Sequence, residues 1–182
     1  ILKKKKVDYL FVSAPENVAW LLNIRGHDNP HSPMPHCRLL LNRNKEIFLI
    51  SEKGKVIKLI KEKKIFKNQI INPKEMINFF NKIKKSKFII DQKTCSIFYQ
   101  NSLIKKHKIL KKNDPIYDLK AIKNKIEINN IINAHVDDGV ALTKFLYWIK
   151  IENKKKLTEV DAQNKLEKFR KKNKRYLFPS FN

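Results

Sequence analysis

The first apolar stretch is Val-Asp-Tyr-Leu-Phe-Val over residues 7–12, a short β-rich run that predicts a strand. Ser13-Ala14-Pro15-Glu16 then reads as a helix entry, with Ser13 or Ala14 near the cap, Pro15 in the first turn and Glu16 beside the positive end of the dipole. This short helix is predicted over Glu16–Leu22 and ends at Asn23-Ile24-Arg25-Gly26, where a loop stiffened by Pro30, Pro33 and Pro35 takes over. Arg38–Leu41 and Glu46–Ile50 are apolar runs joined by Asn42-Arg43-Asn44-Lys45, and the tolerance of Asn for positive φ predicts a β-hairpin. Val56–Lys63 has helical spacing, and Gln69–Ile71 reads as a strand. Asn72-Pro73-Lys74-Glu75 opens a helix whose apolar face is Met76, Ile77, Phe79, Phe80 and Ile83. Lys87–Asp91 is a strand, Ser96–Lys105 a helix and Lys108–Leu110 a last strand. Strands alternating with helices predict an α/β domain over residues 1–113.

Asp114-Pro115-Ile116 marks a boundary, and the period changes beyond it. Ile128, Ile131, Ile132, Val136, Val140, Phe145 and Ile149 keep a 3.6-residue period, which predicts one long amphipathic helix. Thr158-Glu159-Val160-Asp161 has the spacing of a capping box, with Asp where Glu or Gln is usual, and opens a second helix. Tyr176–Phe181 reads as the start of a strand. The chain begins at Ile1 rather than Met and stops on Pro179-Ser180-Phe181-Asn182, so the expectation is a fragment of a longer protein whose residues 114–182 open a second, truncated domain.

Composition narrows the class. With 182 residues, 42% of them hydrophobic, the chain can bury a core, which argues against simple disorder. No run approaches the ~18 consecutive apolar residues of a membrane span. The four lysines Lys3–Lys6 lead into Val7-Asp8-Tyr9, so no apolar stretch of a signal peptide follows them. Cys37 and Cys95 are too few for a disulfide scaffold or a four-cysteine zinc site and fit a reducing compartment. The net charge of +24 would point to nucleic acid, but 36 of the 41 basic residues are Lys and only 5 are Arg. Specific recognition of phosphates and bases favours the planar fork of Arg. Lys, Ile and Asn make up more than two-fifths of the chain, a bias expected of an AT-rich genome, and most lysines fall on polar helix faces. The reading is therefore no specific nucleic acid and no membrane.

Candidate chemistry is sparse. The loop from His27 to Cys37 holds three His, one Asp and one Cys, which are zinc-ligand types. Pro30 and Pro33 forbid the helix that would align His27 with His31, so a polar loop lining a cleft is the expectation. Arg25 stands beside Gly26 at a helix exit, where it can cap carbonyls or meet a carboxylate. Asp137 and Asp138 are helix neighbours about 100° apart, so they cannot share one metal, and a solvated face is expected. Trp20 and Trp148 lie on apolar helix faces. Gly26, Gly54 and Gly139 are scattered, so no glycine-rich phosphate loop exists, and no complete active site is visible from spacing.

Several passages resemble a known family. Asn17-Val18-Ala19-Trp20-Leu21-Leu22-Asn23-Ile24-Arg25-Gly26-His27-Asp28, Asp114-Pro115-Ile116 with Leu119-Lys120-Ala121-Ile122-Lys123-Asn124, and Ala134-His135-Val136-Asp137-Asp138-Gly139-Val140-Ala141 are similar, in order, to segments of Xaa-Pro aminopeptidases. Phe145-Leu146-Tyr147-Trp148, Lys165-Leu166-Glu167 and Ser180-Phe181 continue the likeness. The resemblance implies a creatinase/prolidase-type N-terminal α/β domain, a ribonuclease-H-like mixed sheet with helices, followed by the first helices of a pita-bread α+β catalytic domain. It implies a cytoplasmic, homodimeric metallopeptidase that removes the N-terminal residue from peptides with proline second. Two divalent ions, usually manganese, would activate water there. Their ligands in the family lie downstream of the Ser-Phe matched by Ser180-Phe181, so this chain is expected to bind no metal and to be inactive alone. Arg25, His27 and Asp28 are the candidates for a substrate-cleft wall or subunit interface. The alternatives are a creatinase or prolidase relative with another substrate, and a basic binding domain without chemistry.

Overall fold

In a computed structural model, residues 1–152 and 157–179 are described and form two compact units, Ile1–Ala121 and a second that begins at Ile122. The first unit is built on six strands: β1 (Tyr9–Val12), β2 (Arg38–Asn42), β3 (Ile47–Ile50), β4 (Ile70–Ile71), β5 (Lys87–Ile90) and β6 (Lys108–Lys111). Their order is β4-β3-β2-β1-β5-β6. The β1–β2 and β2–β3 pairs are antiparallel, and the β3–β4, β1–β5 and β5–β6 pairs are parallel. This is the mixed α/β sheet expected from the sequence.

The strands are near-continuous apolar runs, and because successive side chains point to opposite faces, both faces of the sheet are covered. Leu10, Leu39, Leu49 and Ile89 join one core with Val18 and Ile24, whereas Phe11, Leu40, Ile50, Phe88 and Ile90 join the other. Helix α1 (Pro15–Leu22) contributes to the first core. Helices α3 (Met76–Lys82) and α4 (Ile97–Ile104) contribute Met76, Phe80 and Leu103 to the second. There Phe80 meets Phe11 edge-on at 5.4 Å, and Tyr9 stacks on Phe88 at 4.8 Å.

Local chemistry departs from the sequence reading at three places. Positive φ in the β2–β3 turn falls on Lys45 (φ 71°), not on an Asn. Asn42 uses its side chain instead, with Oδ1 accepting from the Asn44 and Glu46 N–H groups at 2.9 and 3.0 Å. The predicted Val56–Lys63 helix is a 3-10 turn, Lys53–Val56, running into a short α2 (Ile57–Lys61). Pro115–Ala121 is a helix, α5, where only a boundary was expected. Asp114 caps it by accepting from the Ile116 N–H at 3.0 Å, with Pro115 in the first position.

Asp114 also closes a buried network. Asn17, fully buried on α1, donates to Asp114 Oδ2 at 2.8 Å and accepts from Lys120 Nζ at 2.6 Å. The Asp114 N–H donates to Asp91 Oδ2 at 2.8 Å, just past β5. Tyr117 donates to Glu16 at 2.7 Å, and Ser13 meets Thr94 at 2.8 Å. Burial holds the Asp114 carboxyl above the usual carboxylate range, and its hydrogen bonds to Ile116 and Asn17 oppose that rise.

The second unit consists of α6 (Lys125–Glu152) and α7 (Glu159–Arg170). The capping box forms as expected: Thr158 Oγ1 accepts from the Asp161 N–H at 3.2 Å, and Asp161 Oδ2 accepts from the Thr158 N–H at 3.0 Å. Asp137 and Asp138 do point to separate partners. Asp138 takes a two-pronged pair from Arg170 at 2.6 and 3.1 Å, and Asp137 pairs with Arg175. Ala141 is buried, but Ile131, Ile132, Val136 and Leu146 are exposed. Tyr176–Pro179 has no strand, and Ser180 and Phe181 lie outside the described residues.

Two outcomes are expected. Asn17→Ala deletes one buried and one part-buried hydrogen bond at once and should destabilise the first unit by about 2–4 kcal/mol, read by denaturant unfolding. The second concerns His107, 5% exposed, whose Nε2–H donates to the Phe80 carbonyl at 3.1 Å while Nδ1 has no partner among the described residues. Burial lowers its pKa, so the unfolded chain binds more protons between the folded value and about 6.5. Stability should therefore fall as pH drops below about 6.5, and His107→Leu should flatten that slope in melts taken between about pH 7.5 and 5.

Candidate functional site

The exit of α1 builds one rim of a cleft. Asn23 takes the left-handed conformation (φ 49°) that ends the helix, and its N–H bonds back to Ala19 and Trp20 carbonyls. Ile24 then turns into the core, and Arg25 emerges on the surface. Arg25 Nη1 donates to the Ile24 carbonyl at 2.8 Å and more weakly to that of Ala19 at 3.5 Å. The guanidinium is thus held chiefly by the carbonyl just past α1, with a weak contact to the last turn of the helix.

Gly26 lets the loop fold back. Its N–H donates to the Pro33 carbonyl at 2.9 Å, and a Cβ here would lie 2.7 Å from Pro35 Cα. The reason for glycine is close approach of two backbones rather than an unusual φ. Asp28 ties the other end: Oδ2 accepts from the His36 N–H at 2.6 Å and Oδ1 from Lys55 Nζ at 2.7 Å. The Lys55 hydrogen bond, followed by that of His36, holds the Asp28 carboxyl below the usual carboxylate range.

Arg25, His27 and Asp28 all line one cavity of about 330 Å³, together with Cys37, Leu49, Lys55, Val56 and Leu59. The floor is apolar, and the rim carries cations with one carboxylate already paired. Burial pushes the Cys37 thiol up to about 12, so it stays protonated near neutral pH and is a poor nucleophile. Among the described residues no group of three or more His, Cys, Asp or Glu is placed to hold a metal ion. The His-rich loop folds instead around Asp28. What this arrangement offers is binding and positioning: an apolar pocket with a fixed guanidinium at its mouth. Sequence reasoning singled out the loop but missed Lys55 and Leu49, which come from elements distant in the chain and carry no local signal.

Gly26→Ala should cost about 1–3 kcal/mol, because Pro35 is itself too constrained to retreat. Gly54→Ala, where a Cβ meets nothing within 4 Å, is the control and should shift the melt little.

Comparison with known proteins adds a lineage to this geometry. A family model described as the creatinase/prolidase N-terminal domain matches residues 1–127. The chain is 34% identical to the Xaa-Pro aminopeptidase ApepP of Drosophila melanogaster over 99% of its own length and 30% of that protein. It is 31% identical to a probable Xaa-Pro aminopeptidase P of Pyrenophora teres f. teres, over 99% of the chain and 29% of the relative. The chain therefore spans about a third of the curated relatives it matches. Among solved structures, the X-prolyl aminopeptidase of Caenorhabditis elegans, described as a cytosolic enzyme with a di-nuclear active site, superposes with a TM-score of 0.83 at 24% identity, covering 99% of this chain and 31% of that one. A prolidase from Pyrococcus furiosus superposes at 0.63 with 21% identity, over 94% of this chain and 47% of that one. At those identities the structural likeness is one of fold. No helix among the described residues is long and apolar enough to cross a membrane.

Proposed function

The chain belongs to the creatinase/prolidase N-terminal domain family, and on that premise we propose that it is the front part of a metalloaminopeptidase that removes the N-terminal residue from peptides with proline in second position. The observation that carries this reading is the likeness, along 99% of the chain, to a protein named as an Xaa-Pro aminopeptidase. In this reading residues 1–113 form the non-catalytic domain, and the catalytic domain opens from residue 114. The active protein works as a cytoplasmic homodimer with two divalent ions, manganese by preference. The described residues do not fit such a metal pair, so no chemical step is assigned to them. Their part is positioning: Arg25, His27 and Asp28 wall the substrate cleft or the subunit interface. A dipeptidase is the second reading, favoured by the fold shared with a prolidase. Activity on Xaa-Pro dipeptides but not on longer peptides would select it.

The test uses the longer protein with its metal, and the 182-residue chain with added manganese as the inactive control. Lysine at position 25 keeps the charge and loses the planar fork. Arg25→Lys is expected to lower kcat/KM for Xaa-Pro peptides by about tenfold, with less than about 1 kcal/mol lost in stability, since the side chain is exposed. A lower melting temperature with unchanged kinetics would mean that Arg25 serves only the Ile24 and Ala19 carbonyls. Metal-dependent turnover by the 182-residue chain alone would overturn the assignment of chemistry to other residues.

A further inference from the structure

The second unit gathers cations around a cleft that the peptidase reading leaves unused. Lys144 on α6 and Lys172, Lys174 and Arg175, in the turn after α7, line one cavity of about 410 Å³. The only carboxylate lining it, Asp137, is already paired with Arg175. Lys172 lies over the Phe169 ring, 5.6 Å from its centre. Lys144 and Lys174 have no carboxylate partner among the described residues.

What distinguishes these cations from the rest of the lysine-rich surface is that one cavity gathers them. Nearby, Arg170 pairs with Asp138 at 2.6 Å and Lys171 with Glu167 at 2.8 Å, so neither carboxylate is left to neutralise the cleft. The cleft sets its cations in a concavity rather than on an open helix face. Buried Ala141 and the half-buried Phe169 form its apolar side and limit water on one flank of the charges.

We propose that this cleft binds a small anion carrying two or more adjacent phosphates, such as free polyphosphate or the phosphate tail of a nucleotide. A single phosphate meets cations exposed to screening salt and gains little from any one of them. Adjacent phosphates engage several cations in one event, so the second contact forms at high effective concentration. Lysines act as point charges that suit phosphate oxygens without demanding one orientation. Nucleic acid fits less well, because base readout relies on arginine forks and an extended groove, and this cavity is compact.

The test titrates the full chain with inorganic pyrophosphate and follows backbone amide signals by NMR. Saturable shifts confined to residues 140–144 and 169–175 are expected, with orthophosphate at least about tenfold weaker. Lys144→Glu and Lys174→Glu should each weaken pyrophosphate binding by about tenfold, while Lys58→Glu, with an 86% exposed side chain in the first unit, should leave it unchanged. If Lys144→Glu disturbs α6 in a melt, Lys174→Glu, on the turn, still decides the matter. Equal affinity for tripolyphosphate and ATP points to free polyphosphate, and tighter ATP binding to a nucleotide. Shifts spread over all lysines without saturation, or an equal loss from Lys58→Glu, would overturn the proposal. So would a short DNA duplex that displaces pyrophosphate and binds more tightly at physiological salt.

Discussion

Two hydrogen bonds made by one buried side chain hold the first unit in register with itself. Asn17 donates to Asp114 and accepts from Lys120, so α1 and α5 are joined through a single amide with no exposure to water. A buried amide left unpaired costs several times what a satisfied one contributes, and that asymmetry makes the joint selective for one arrangement. Asp91 extends it to the end of β5 through the Asp114 N–H. Helix α1 is therefore fixed from its polar side as well as by Val18 and Ile24 in the core.

The cleft inherits its geometry from that fixed helix. Arg25 donates to the Ile24 carbonyl just past α1, and Gly26 is pressed against Pro33 and Pro35. Asp28 then draws in Lys55 from the far side of the cavity. Each contact leaves the next residue one place to go, and the result is a rigid rim over an apolar floor. Such a rim suits recognition better than catalysis. The one thiol in the cleft is silenced by burial, and the one carboxylate is spent on Lys55.

Charge in this protein is best understood through its local matching. The net +24 is spread over a lysine-rich surface, and only some of its cations meet a carboxylate. Asp137 and Asp138 each take their own arginine because adjacent helix positions diverge by about 100°. That pairing leaves Lys144 and Lys174 as the unmatched cations of the cleft after α7.

By itself the sequence determined the six strands of the sheet and nearly all the helices, because their signals are local: apolar runs in Arg38–Leu41 and Glu46–Ile50, period 3.6 along α6, and a cap at Thr158. The family motif around Asn17–Asp28 was legible for the same reason, and it led to Arg25, His27 and Asp28 as a group. Other features escaped it. Helix α5 was hidden because Asp-Pro signals a helix cap and a domain boundary alike. Lys45 takes the positive φ because the side chain of Asn42 had already organised the turn. Only the tertiary structure brought Lys55 and Leu49 to the cleft, and only it joined Asn17 to Asp114, 97 positions apart in the chain. Periodicity records which way a side chain faces; its partner across the fold depends on how the elements pack, which no local pattern encodes.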